Sequence, residues 1–295
     1  MEPYSIFNEV KKFFKSSDAV TQLVAVNIAV FALYHIVHLF FLLFAAEDSF
    51  FLYSWLAAPT DLSSLSARPW TVFTYMFFHK DLLHLLFNML WLFWFGRILC
   101  SFFERQYLIG VFILGGLAGV FLYILSYNLF PAFSSAKYFS SVIGASAGVL
   151  AIVTAISCYV PEYRISLLFI GRVRLIYIAM ASVLLDIVSI SMSDNIGGHI
   201  AHLGGAGFGC LFAFNMRNRR DIVQWLIDGW RRCEKPFRRK SKLKVNYRKP
   251  PADDWEYNRQ KKEHQAEIDR ILDKISLHGY DTLTSQEKEF LFGKK

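Results

Sequence analysis

Along most of this chain apolar residues neither alternate nor recur as a stripe; they fill whole stretches. A bilayer core needs roughly 20 apolar residues per helix. Six stretches near that length cover about 21–45, 82–102, 107–130, 141–160, 174–192 and 197–216. Each is apolar on nearly all faces, which is the pattern of helices surrounded by lipid or protein rather than of surface helices with one apolar side. Between the first two lies a long loop, about 46–81, rich in the Phe, Tyr and Trp that favour the membrane–water interface. A loop this long in a compact bundle is functional or lies on the membrane surface. After 216 the pattern changes. Residues 217–260 read as a basic stretch and a linker with Pro250-Pro251. In KEHQAEIDRILDKIS, 262–276, Ile268, Ile271, Leu272 and Ile275 share one helical face, and His278-Gly279 ends that helix. Thr284 with Glu287 three positions on is a capping box that opens a second short helix.

The expected fold class is therefore all-α, a polytopic membrane protein with six transmembrane helices and a small helical tail. Its parts are an N-terminal segment 1–20, a six-helix domain 21–216, a basic juxtamembrane segment and linker 217–260, and a helical module 261–295. That module is too short for a large core and calls for a partner or the membrane. Composition agrees: 54% of the 295 residues are hydrophobic and 19% charged, and the mean hydropathy is +0.32, values of an integral membrane protein. Residues 1–20 show no small-residue cleavage site, and the first apolar run is too long for a signal-peptide core, so it reads as a retained helix.

Charge orients the chain. The net charge of +8 is concentrated at 217–250, read here as a stretch held beside anionic lipid headgroups rather than as a nucleic-acid site. Lys11, Lys12 and Lys15 precede the first helix, Arg97 and Arg105 flank the second turn, and Arg164, Arg172 and Arg174 lie between the fourth and fifth helices. The opposite loops carry only Arg68, Lys80 and Lys137. By the positive-inside rule both termini are cytoplasmic. Cys100, Cys158, Cys210 and Cys233 then fall at or near the cytoplasmic side with no CxxC pair, so neither a disulfide framework nor a metal site is expected of them.

Ionisable and polar side chains inside membrane helices are functional candidates by default. His84 and Asn88, four apart, share one face of the second helix. His199 and His202 lie near the outer end of the sixth, where Gly198, Gly205 and Gly209 permit close approach of another helix on the His202 side. His199 is one position off that face and reads as loop-facing or interfacial. Gly144-Ala145-Ser146-Ala147-Gly148 opens the fourth helix. In a soluble hydrolase this pattern follows a strand, and no strand pattern precedes it here. Ser146 is then either a small residue at a helix crossing or a nucleophile. The orientation above puts the starts of the second, fourth and sixth helices on the same outer side, so Ser146, His84, Asn88 and His202 could meet just below the surface. The unpaired amides of a helix N-terminus could stabilise an oxyanion formed there. His79 sits where the outer loop enters the second helix. His35 and His38 read as interhelical or interfacial, and Asp186 as a structural hydrogen bond with no obvious partner.

Together these residues resemble the rhomboid family of intramembrane serine proteases. The likeness rests on Gly144-Ala145-Ser146, on His202 in AHLGGAGFG, on the His84-x-x-x-Asn88 pair, and on Trp70 in the outer loop nine before His79; it covers about 20–216. The tail ILDKISLHGYDTLTSQEKEFLF is similar to a short C-terminal module of many bacterial rhomboids of the Bacteroidetes type. The resemblance implies a Ser–His dyad without a third acid. Ser146 is the nucleophile and His202 the general base. His84, Asn88 and the Ser146 N–H bind the oxyanion, and Gly144, Gly198, Gly205 and Trp70 support the site. It implies a transmembrane protein substrate, a bacterial cytoplasmic membrane, and no metal or cofactor. The sequence departs from the family at three places. Thr71 follows Trp70 where the family has arginine, Ala147 replaces the glycine after the serine, and Leu150 stands where an aromatic residue packs on the histidine. Orientation of the dyad is then expected to depend on other contacts. Two rivals are a catalytically inactive rhomboid-like protein that binds membrane-protein clients, and a transporter with His84, His199 and His202 as a proton path. The first would be favoured by loss of Ser146 or His202, and both are present. The second predicts inverted repeats, and none is visible.

Overall fold

The computed structural model describes residues 16–44, 49–167, 171–192, 195–225, 228 and 254–292. Lys11, Lys12, Lys15, Cys233 and most of the basic stretch and linker lie outside the described residues. The chain forms two compact units, 1–235 and 236–295, each mostly helical.

In the first unit α1 (Ala19–Leu43) leads to three short loop helices, α2 (Ser49–Leu56), α3 (Leu62–Ala67) and α4 (Thr71–Thr74). Then follow α5 (Leu82–Cys100), α6 (Arg105–Leu129), α7 (Ser146–Tyr159), α8 (Leu175–Ile190) and α9 (Ile196–Arg217). Local chemistry fixes the starts: the Asp18 carboxylate accepts from the Thr21 N–H at 2.9 Å, and Asn195 Oδ1 accepts from the Gly198 N–H at 3.2 Å, both N-caps. Among the described residues, three helices are long and apolar enough to cross a membrane: α1, α5 and α6. α7 and α8 are apolar but shorter, and α9 has 22 residues broken up by glycine and histidine. The fourth apolar stretch loses its first five residues because Ser141–Val142 pair as a strand, β2, antiparallel to β1 (Ala58–Pro59) of the outer loop. A second hairpin, β3 (Arg164–Leu167) with β4 (Gly171–Arg174), joins α7 to α8.

α7 is the centre of this unit. Every residue from Ala147 to Ser157 is buried, whereas α1 and α8 expose Leu33, Ile36, Leu184 and Leu185 on their outer faces. Lipid gives no hydrophobic drive between helices, so association rests on close packing of small residues. α9 comes so near that a Cβ added to Gly205 would stand 2.1 Å from the Ala147 carbonyl oxygen. The Thr154 hydroxyl of α7 also reaches the Ala206 carbonyl of α9 at 3.0 Å. Below this crossing the thiols of Cys158 and Cys210 lie 3.4 Å apart.

The second unit is a helical hairpin. α10 (Asp254–His278) is longer than the pattern indicates and takes up residues assigned above to a linker. It stops at Gly279, whose φ of +81° only glycine adopts without strain. α11 (Ser285–Phe292) opens with the capping box: the Thr284 N–H donates to Glu287 at 2.7 Å and the Glu287 N–H to Thr284 Oγ1 at 3.3 Å. Ile271 and Leu283 are buried, but Leu272, expected on the same face as Ile271, is half exposed.

Candidate active site

The nucleophile candidate is held by a turn that leaves little freedom. After β2 the chain turns at Gly144, φ +108°, a conformation that a side chain would strain. A Cβ there would also lie 2.6 Å from the His84 ring, so the imidazole rests directly against this glycine. The Gly144 N–H donates to the Tyr75 carbonyl at 2.9 Å, and the Ala145 N–H donates to His79 Nε2 at 3.3 Å. His79 is fully buried. Burial first, and the neighbouring His84 ring second, push its imidazole down to about 4, so it is neutral and able to accept. Ser146 follows as the first residue of α7, where its own amide has no partner within the helix.

The general-base candidate is delivered by helix spacing. His202, Gly205 and Gly209 stand at i, i+3 and i+7 on one face of α9. Gly205 seats that face on Ala147, so His202, one turn earlier, meets the residue before Ala147. The Ser146 hydroxyl and His202 Nε2 are 2.6 Å apart. On the other side of the ring, His202 Nδ1 is 2.8 Å from Asp186 Oδ1 of α8, and His199 Nδ1 is 2.7 Å from the same oxygen. A carboxylate can only accept, so both rings donate from Nδ1. In the neutral ring His202 Nε2 is then the acceptor for the Ser146 O–H.

These groups line a cavity of about 400 Å³. Its polar lining includes Ser146, His202, Asp186, His84 and Asn88, and its apolar lining includes Phe87, Trp91, Leu150 and Leu185. The Asn88 amide donates to the His84 carbonyl at 2.9 Å, and an amide group has a second N–H to offer. Gly198 also lines the cavity, but Trp70 does not. Trp70 packs at a tilt against Trp55 with ring centroids 5.1 Å apart and donates to the Trp55 carbonyl at 3.0 Å, which fastens the outer loop. Thr71 is buried with its hydroxyl on the Arg68 carbonyl at 2.7 Å, and Arg68 reaches the Ser54 carbonyl at 2.6 Å. His35 donates to the Lys80 carbonyl at 3.1 Å, joining α1 to the start of α5.

Two readings of the sequence are corrected. Asp186 does have partners, and His199 faces Asp186 instead of a loop. The signal was available as a lone acid inside one apolar segment followed, in the next, by two histidines three apart. Asp186, His199 and His202 gather three potential metal-ligating atoms. Ligands around a tetrahedral ion at about 2.1 Å stand roughly 3.4 Å from one another. Here Oδ1 is 2.7 and 2.8 Å from the two nitrogens, the separation of atoms bonded through hydrogen. The arrangement is one acceptor shared by two imidazoles, one of which meets the Ser146 hydroxyl with its other nitrogen.

A model of the rhomboid domain matches residues 66–219, slightly more than half of the chain. A family of unknown function (DUF6576) matches residues 253–292, the hairpin of the second unit. No curated protein matches the chain.

Proposed function

Because the chain belongs to the rhomboid family, we propose that it is an active intramembrane serine endopeptidase that cuts peptide bonds in or near the transmembrane segments of membrane proteins. The observation that carries this reading is the 2.6 Å contact between the Ser146 hydroxyl and His202 Nε2 at the wall of a cavity that has both polar and apolar lining residues. A serine hydroxyl is a poor nucleophile until a neutral imidazole takes its proton. His202 accepts that proton as Ser146 Oγ attacks the scissile carbonyl, then returns it to the leaving amine. The tetrahedral oxyanion is met by the Ser146 N–H at the positive end of α7, by His84 and by the second N–H of Asn88. Water entering the same cavity releases the acyl group by the same steps in reverse. Substrate segments that unwind readily are preferred, since a regular helix hides its carbonyls.

The same proposal takes residues 21–216 as the protease domain with six passes, 217–260 as a basic juxtamembrane segment beside anionic lipid, and 261–295 as a cytoplasmic module, with both termini in the cytoplasm of a bacterium. The positive loops and the tail charge support this orientation.

Fluorophosphonate labelling in proteoliposomes tests the reading, with cleavage of a transmembrane reporter beside it. Wild type is expected to label and cleave, and Ser146→Ala and His202→Ala to do neither. Folded wild type that fails on both counts, while another rhomboid reacts alongside, would overturn the reading in favour of an inactive client-binding relative.

A further inference from the structure

A Ser–His pair alone leaves the imidazole two freedoms: rotation about its side-chain bonds, and the choice of which nitrogen carries the proton. Both are removed by a residue outside the pair. Asp186 lies on α8, with its side chain only 11% exposed, in a segment where a carboxylate is costly to keep. Its Oδ1 takes the Nδ1–H of His202 at 2.8 Å and the Nδ1–H of His199 at 2.7 Å. Leu150, which lines the same cavity, has an aliphatic side chain with no hydrogen-bonding group that could direct the ring.

We propose that Asp186 is a positioning residue for His202, held in its own orientation by His199, so that the reacting unit is the chain Ser146–His202–Asp186–His199. The inference rests on the protease reading above. As Ser146 Oγ bonds to the carbonyl carbon, its proton moves to His202 Nε2. The Nδ1 proton stays on His202, and Asp186 stays ionised and faces the imidazolium that forms. No proton is transferred to the carboxylate, so its part is orientation, choice of tautomer and stabilisation of charge. His199 completes the arrangement by giving the same oxygen a second donor, which fixes the carboxylate plane without competing for His202.

The experiment compares wild type, Asp186→Ala, Asp186→Asn, His199→Phe and Ser146→Ala as full-length chains in proteoliposomes. Labelling rate, reporter cleavage and the histidine N–H resonances of ¹⁵N-labelled protein are read together. Asp186→Ala is expected to lower kcat by about 100-fold, the low end of what a positioned base contributes, with KM little changed and labelling slowed in proportion. Asp186→Asn keeps an acceptor oxygen and recovers part of the loss; His199→Phe loses less than Asp186→Ala. Wild type and Ser146→Ala share a low-field Nδ1–H resonance from His202 that Asp186→Ala lacks. Asp186→Ala with wild-type kcat and labelling, or with raised KM and unchanged kcat, overturns the proposal. So does a His202 resonance that persists without the carboxylate, including in a protein that proves inactive. Failure of wild type to label or cleave is a separate result and counts against the protease reading itself.

Discussion

Gly205→Ala is the sharpest test of how packing sets the chemistry. The added Cβ would lie 2.1 Å from the Ala147 carbonyl oxygen and 2.8 Å from its carbon. Ordinary contact begins near 3.4 Å, so α9 must draw back from α7 by about 1.3 Å at this point. The neighbours are backbone atoms of a helix buried on all sides, and they have nowhere to go. His202 rides on α9 one turn away, so the same displacement carries the 2.6 Å Ser146–His202 contact beyond the 3.2 Å limit of a good hydrogen bond. A misplacement of about 1 Å can cost roughly 100-fold in rate, while overpacking of this kind destabilises by about 1–3 kcal/mol. The assay is the second-order rate of fluorophosphonate labelling, with thermal unfolding in the same detergent. Gly207→Ala is the control: on the same helix, its added Cβ meets nothing within 4 Å, and the variant should label like wild type. Gly205→Ala that is folded and labels at the wild-type rate would refute the argument that this crossing sets the dyad distance.

Two further outcomes follow from contacts away from the dyad. His79→Leu removes the acceptor of the buried Ala145 N–H, which costs about 1–3 kcal/mol; the unfolding midpoint should fall and labelling slow, and an unchanged midpoint would count against His79 as the anchor of the nucleophile turn. In the tail, the Thr284 backbone N–H, then Lys274, then the Thr284 hydroxyl hold the Glu287 carboxyl at about 2 instead of its ordinary 4.5. Its contribution to the hairpin is therefore complete above pH 4.5 and is lost as pH falls through 2. NMR titration of carboxyl-labelled full-length protein should show this low midpoint moving part of the way toward 4.5 in Thr284→Ala, which removes the hydroxyl and leaves the backbone N–H in place, and an unmoved midpoint would remove the hydroxyl as a cause.

What could be read without coordinates was whatever depends on short spacing. The i, i+3, i+7 run of His202, Gly205 and Gly209 marks a face that touches another helix, and the Thr284–Glu287 pair marks a cap; both are local. Ser146 at the head of an apolar run was visible for the same reason. The apolar stretch 141–160 runs five residues ahead of the start of α7 at Ser146 because Val142 and Ile143 continue the apolar run, and composition cannot tell a strand paired with Ala58–Pro59 from another helical turn. Asp186 was harder. Its partners lie 13 and 16 residues away on another helix, and which way α8 turns that side chain is decided by the packing of α8 against α7 and α9. Leu272 carried the right period, but a two-helix hairpin has only enough second surface to cover part of the α10 stripe.

The brevity of α7 bears on the depth at which the proposed protease would cut. Fourteen residues make a helix about 21 Å long, roughly 9 Å short of a bilayer's hydrocarbon core. A lipid-facing helix of that length would pinch the membrane. α7 touches almost no lipid, so the shortfall is absorbed inside the protein, at the Ser146 end by the Gly144 turn and the open cavity. The helix then acts as a depth gauge. On the proposed protease reading, its length sets how far a substrate segment descends before its backbone meets the Ser146 hydroxyl, and adding or deleting one buried turn of α7 would move that level by about 5 Å.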